Sequence, residues 1–238
     1  MPKRYWYVIV TYLIMQFSAL PVALYIELYF PESYSQYMIY WTIFSFTAGM
    51  LVTLWLMRPD MQKPAHRDAS PASSVILWSI LGVFLAFFAQ GIAAMIEVFI
   101  LGIPAGSENT MGIMEYARTN VLFILVPAII APILEEIIFR KIIFGSLYKR
   151  MNFFFAAILS ALVFAAFHVD FSHLLMYTAM GLVFAFLYVK TKRIIVPIIV
   201  HAGMNSYVVY KQYNLTPEEI QKMLDQLEQL QTILFSCI

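Results

Sequence analysis

The stretch LVPAIIAPILEEIIFRKIIFGSLY, from Leu125 to Tyr148, is apolar enough to lie in lipid, yet Glu135, Glu136 and Arg140 stand near its middle. An ionised side chain at the bilayer centre costs at least ~2.5–3.5 kcal/mol on insertion scales, so acids placed there are functional candidates by default. Four residues apart on a helix, Glu136 and Arg140 share a face and can pair, whereas Glu135 points about 100° away around the axis. One glutamate is then held ionised by the arginine while its neighbour projects elsewhere, a division that gives one acid structural and the other catalytic work. A structural clasp without chemistry is the plainer reading of the Glu–Arg pair taken alone.

The rest of the chain puts this segment in a membrane. Of 238 residues, 62% are hydrophobic, 16% aromatic and 12% charged, with a mean hydropathy of +0.78. Soluble domains hold about 45–50% apolar and about 25% charged residues, so one soluble core cannot hide this excess. A net charge of +1 argues against nucleic acid as a partner, and the single cysteine, Cys237, excludes an internal disulfide framework. Cys237 lies second from the end, where a prenylation box needs it fourth from the end. The basic start, MPKR, precedes an apolar run longer than the ~7–15 residues of a signal peptide, which predicts a retained first helix.

Seven stretches reach or approach the roughly 20 apolar residues that a span requires: 5–29, 37–57, 75–103, 120–148, 152–169, 171–190 and 194–211. Tilt or a break is expected in the long ones, 75–103 and 120–148. The prediction is an all-α polytopic membrane protein of about seven to eight transmembrane helices. A transmembrane domain covers 1–213, with a motif-bearing core at 120–210, and 214–238 forms a C-terminal amphipathic helix. That last helix is opened by Thr216 as cap, Pro217 at the first position and Glu219 at the third. Ile220, Met223, Leu224, Leu227, Leu230 and Leu234 fall on one of its faces.

An N-terminus in the cytoplasm leaves Lys3, Arg4, Arg58, Lys63, Arg67, Lys141, Lys149, Arg150, Lys190, Lys192 and Arg193 at or near that side. Only Arg118, Lys211 and Lys222 fall on the other. This asymmetry predicts a cytoplasmic N-terminus.

Two further polar clusters interrupt the spans. FAAFHVDFSH carries His168, Asp170 and His173 at a turn, and HAGMN carries His201 and Asn205 one helical turn apart. A rise of about 1.5 Å per residue puts Glu135 about 21 Å and His168 about 24 Å from the basic turn at 149–150, so they share a level. His201 is only about 12 Å from its own flank. Bringing it to Glu135 requires that the 190–196 connection ride deep or the helices tilt. Each residue also has a bland reading: interhelical hydrogen bonding for the histidines and Asn205, and ordinary solvation for Asp170 and His173.

EEIIFR, FAAFH and HAGMN resemble the EExxxR, FxxxH and HxxxN motifs of the CPBP intramembrane proteases, the family of type II CAAX prenyl endopeptidases and Abi bacteriocin-processing and immunity proteins. The order and spacing agree over roughly 120–210. The resemblance implies a helical membrane fold, often of eight spans, with its site in a cavity open towards the cytosol. Carried over by it, Glu135 would be the base that activates water, assisted by His168. His201 and Asn205 would orient water or stabilise the oxyanion, Glu136 and Arg140 would hold Glu135 in place, and Phe164 belongs to the second motif. Glu135, His168 and His201 also suit zinc with one position left for water. No HExxH is present, and the resemblance is equally compatible with a metal-free glutamate mechanism, so both stay open.

The leading expectation is an intramembrane endopeptidase of the bacterial cell membrane that acts on a peptide or membrane-anchored protein by glutamate-activated water. A catalytically silent scaffold, regulator or bacteriocin-immunity protein is the first alternative. A proton-relaying transporter is the second, although no repeated halves of the kind such folds show are visible.

Overall fold

A computed structural model describes residues 1–62 and 68–236. Lys63 and Arg67 of the expected basic side, and Cys237, lie outside the described residues, as does the side chain of Leu234. The described residues are helical and contain no strand. We number the helices α1 (Lys3–Tyr29), α2 (Pro31–Met61), α3 (Ala72–Phe99), α4 (Glu108–Thr119), α5 (Val121–Leu147), α6 (Phe153–Ala166), α7 (Phe171–Thr191), α8 (Ile195–Asn214) and α9 (Pro217–Ser236). Seven of these fall on the seven expected stretches. Five of them, α1, α2, α3, α5 and α7, are long and apolar enough to cross a membrane, so the chain is a multi-pass membrane protein.

Local chemistry sets the boundaries. Asn152 caps α6 by accepting from Phe155 N–H at 3.1 Å, and Ser107 caps α4 by accepting from Thr110 N–H at 3.2 Å. Before α9 the expected capping box is complete. Thr216 N–H donates to Glu219 at 2.8 Å and Glu219 N–H to the Thr216 hydroxyl at 3.2 Å. The Thr216 N–H and hydroxyl hold the Glu219 carboxyl below its ordinary range.

The expected irregularity of the fourth span is a winding change rather than a gap. Val126–Ile130 and Glu136–Phe144 are π-helical, and Ala131–Glu135 between them is α-helical. Such π segments cluster at functional sites because an extra residue per turn re-aims side chains. α6 has only 14 residues, about 21 Å of helix against a bilayer core of about 30 Å. Its C-terminal turn, which carries His168, therefore lies below the membrane surface. Irregular backbone is tolerated at such depth when protein ties it down, and here Ser107 and Gly106 bond to Asp170 and His173 just beyond it.

Two ends can be distinguished by their contacts. Arg4 grips Asp60 through two bonds of 3.0 and 2.8 Å, tying the start of α1 to the end of α2. At the same end Ser70 N–H donates to the Thr191 carbonyl at 3.0 Å, Arg193 to the Ser70 carbonyl at 3.1 Å, and Lys192 to Asp68 at 3.0 Å. Thr191 is wholly buried beneath this cover. The 191–194 connection is thus partly covered by protein.

Between the spans, small residues let backbones approach, as membrane helices require. A Cβ on Gly181 of α7 would stand 2.8 Å from the Ala161 Cβ of α6.

Candidate active site

The three polar clusters meet at the floor of one cavity of about 320 Å³, whose wall includes Glu135, His168, His201 and Asn205. His201, buried on α8, faces a carboxylate with each ring nitrogen. Nδ1 is 3.0 Å from Glu136 Oε1 and Nε2 is 3.8 Å from Glu135 Oε2. With Nδ1–H donating to Glu136, Nε2 keeps a lone pair directed at Glu135. Two acceptors make no hydrogen bond to each other, and at 3.8 Å apart they stand close enough for one water to donate to both.

Glu136 and Arg140 are fully buried and paired, Oε2 to Nε 3.2 Å, as their spacing predicts. Arg140 makes no aligned hydrogen bond among the described residues. Its charge is compensated by Glu136 and by the rings of Phe164 and Phe184, whose centroids lie 4.4 and 5.3 Å from Cζ. The Glu136–Arg140 pair was expected to hold Glu135. What Glu136 touches directly is His201, so the pair orients the imidazole and leaves Glu135 facing the cavity.

Phe164 is the hub of the second motif. His168 packs against its ring at 4.6 Å between centroids and His201 at 5.8 Å, with Arg140 above. One helical turn on from Phe164, His168 Nδ1 donates to the Phe164 carbonyl at 3.0 Å, which leaves Nε2 as the acceptor. Tyr177 stacks on His168 at 4.1 Å.

Asn205 is placed by a missing donor. In the π segment Ala131 N–H bonds to the Val126 carbonyl. The next bond in that pattern would run from residue 132 to the Pro127 carbonyl, but Pro132 has no N–H. Asn205 Nδ2 supplies one from α8 at 2.9 Å. Its second N–H and its carbonyl are not used by that bond, and the side chain lines the cavity.

Asp170 and His173, for which solvation was the bland reading, are tied into the protein. His173 is buried between Glu97 Oε2 (3.0 Å) and the Gly106 carbonyl (2.8 Å). Asp170 accepts from the Ser107 hydroxyl at 2.6 Å. Glu97 also accepts from Met176 N–H at 2.9 Å, capping the start of α7. Sequence reasoning passed over Glu97, although the rule that flags Glu135 flags any acid in an apolar span. It also passed over Gln16, Gln90 and Tyr177 of the wall, which no motif marks.

A zinc site does not fit this arrangement. Among the described residues no three His, Cys, Asp or Glu side chains form a group that could hold a metal ion. Glu135, His168 and His201 share the cavity without making a ligand cradle, so no step is derived through a metal.

The cavity extends from Glu135 towards α4, where Asn109, Thr110 and Met114 close its upper wall. That is the end opposite the Arg4–Asp60 and Lys192–Asp68 pairs.

Comparison with known proteins agrees with the motif positions. The family model "Type II CAAX prenyl endopeptidase Rce1-like" matches residues 117–207. The chain is 44% identical over 241 residues to the "Putative membrane peptidase YdiL" of Bacillus subtilis, covering 96% of this chain and 97% of that one. It is 35% identical over 186 residues to the "Membrane-embedded CAAX protease MroQ" of Staphylococcus aureus, covering 76% and 74%. No solved structure matches.

Proposed function

We propose that this chain, which belongs to the type II CAAX prenyl endopeptidase (Rce1-like) family of membrane proteases, hydrolyses a peptide bond in a membrane-associated peptide or protein of the cell membrane by glutamate-activated water. The observation that carries this reading is the 3.8 Å separation of Glu135 Oε2 and His201 Nε2 on the wall of a cavity that His168 also lines.

A water held between these two atoms gives a hydrogen bond to each and turns its lone pairs towards the cavity. Glu135 takes its proton as the oxygen adds to the peptide carbonyl carbon. The resulting oxyanion is met by the N–H of Asn205 that Pro127 does not use, a kind of contact worth about 2.7–4 kcal/mol where single donors have been removed. Collapse breaks the C–N bond, and Glu135 returns the proton to the leaving amine. His168, with Nε2 unprotonated, accepts from the N–H of the leaving amine and so orients its nitrogen for this transfer. Glu136 keeps His201 in the tautomer that accepts from water, and Arg140 supplies the counter-charge that pairs with Glu136.

The test compares membrane and secreted proteins of cells carrying the wild-type chain or Glu135→Ala. A fragment present with the first and missing with the second is expected. Identical fragment patterns would remove the protease reading in favour of a scaffold or regulator. Cleavage by the purified protein is expected to survive a zinc chelator.

A further inference from the structure

We infer that Glu97 and His173, a buried pair outside the cavity, are positioning residues for His168. Through the turn at 168–177 they hold its imidazole where Nε2 can meet the leaving amine. The inference rests on the protease reading for what His168 does there, whereas the placement of the ring rests on geometry alone.

The Phe164 carbonyl fixes one ring nitrogen of His168, but the backbone that carries the ring is irregular. His168 stands just past the end of α6 at Ala166, and the next residue, Val169, has a φ of +54°. A β-branched residue rarely enters that left-handed region, and keeps it only where the surroundings over-determine the backbone. Here the surroundings come from α3 and the segment after it. Glu97, 1% exposed, accepts from Met176 N–H at 2.9 Å through Oε1 and meets His173 Nδ1 at 3.0 Å through Oε2. His173 Nε2 donates to the Gly106 carbonyl at 2.8 Å. Ser107 donates to Asp170 at 2.6 Å and stands 3.4 Å from the Tyr177 hydroxyl. Asp170, His173 and Met176 are thus pinned from one side, and Tyr177 closes the turn by stacking on the His168 ring at 4.1 Å.

The chemistry of the pair fits this role. A carbonyl oxygen only accepts, so His173 Nε2 carries a hydrogen. Nδ1 and the carboxylate, 3.0 Å apart, hold one further proton between them, since two facing lone pairs would repel. The pair is then neutral as a whole and leaves no uncompensated charge in the protein. Neither residue lines the cavity, so both reach the reaction only through what they hold. Stability alone is a weak reason for such a pair, because apolar residues of similar volume often serve a buried position as well or better. What apolar packing does not supply is direction. The bonds to Met176 N–H, His173 and the Gly106 carbonyl set the start of α7 against α3 and the 106–107 segment, and with it the position of Tyr177 over His168.

The test compares two full-length variants. Glu97→Leu keeps most of the bulk and removes every bond of the carboxylate. In Glu97→Gln the amide oxygen can accept from Met176 N–H while the NH2 donates to a neutral His173. The activity probe is the fragment that cells release with the wild-type chain and not with Glu135→Ala. Its rate is expected to fall about 10²-fold in Glu97→Leu, the cost of displacing a reacting group by ~1 Å, and to recover for the most part in Glu97→Gln. Added to His168→Ala, Glu97→Leu is expected to cost little more, because the ring it holds is gone. A loss as large there as in the wild type, or a wild-type rate in Glu97→Leu, overturns the inference. A second readout needs no catalysis: the magnetic resonance of nitrogen-15-labelled imidazoles, with His168 assigned by its absence in His168→Ala. Glu97→Leu is expected to shift the His168 ring signals and Glu97→Gln to restore them, and unshifted signals overturn the inference. His173→Phe, which spares the Glu97–Met176 bond, replaces Glu97→Leu if that variant does not accumulate. If the wild type releases no such fragment, the protease reading fails and the imidazole signals alone decide the placement.

Discussion

Asn205 on α8 donates to the backbone carbonyl of Pro127 on α5 at 2.9 Å, supplying the hydrogen bond that Pro132 cannot give within its own helix. One asparagine thereby locks the two helices whose side chains meet at the cavity floor. Replacing it by alanine leaves a carbonyl unsatisfied at membrane depth, a loss of about 1–3 kcal/mol. The melting temperature in detergent is expected to fall, with cleavage reduced roughly 10²–10³-fold if the second N–H meets the oxyanion. An Asn205→Ala protein that melts like the wild type would show that the bond carries no stability.

The two adjacent glutamates are expected to fail differently. Glu135→Gln keeps shape and removes the proton acceptor, so folded yield should hold while cleavage falls by about 10²–10⁴. Glu136→Ala leaves the buried Arg140 without its counter-charge, a defect of about 3–5 kcal/mol. Yield and thermal stability should drop along with activity. Equal stability losses in the two variants would contradict the division of roles.

Phe164 supports two imidazoles and a guanidinium at once. Phe164→Ala should cost about 3–5 kcal/mol. Phe164→Leu restores most of the bulk without the ring, so it should recover stability more than turnover. Recovery of both together would show that volume alone matters there.

Gly181 and Ala161 set the spacing of α6 and α7, and with it the depth of His168. Gly181→Val inserts atoms where 2.8 Å separates the would-be Cβ from Ala161, an overpacking worth about 1–3 kcal/mol. The smaller Gly181→Ala should be relieved in part by Ala161→Gly. A double variant no more stable than Gly181→Ala would place the strain elsewhere.

At the start of α9 the Glu219 carboxyl is held below the ordinary carboxylate range by the Thr216 N–H and hydroxyl. A depressed folded pKa contributes stability that is present above the unfolded value and lost as pH falls through the folded one. Amide exchange in the first turn of α9 should therefore quicken under acid, and Glu219→Gln should abolish that pH dependence. An unchanged acid response in the variant would point to another group.

Much of this was legible in the residues. Apolar content and the roughly 20-residue runs pointed to an all-α membrane protein, because a run of that length matches a spanning helix, which satisfies its own backbone hydrogen bonds in lipid, and is about twice a spanning strand. The capping box at Thr216 and Glu219 could be read because all its parts lie within one turn, and so could the Glu136–Arg140 pair. The three motifs marked Glu135, His168, His201 and Asn205 before their neighbours were known.

What sequence spacing could not supply was contact across helices. The Glu136–His201 bond joins residues 65 apart, and Glu97–His173 joins residues 76 apart. Nothing within either segment encodes its partner. Periodicity along one helix fixes which side chains share a face, but not the depth at which one helix stands beside another. The sequence by itself determined that acids and imidazoles would be buried among lipid-facing helices. Packing of the whole chain, through the short α6 and the covered 191–194 connection, decided that they meet.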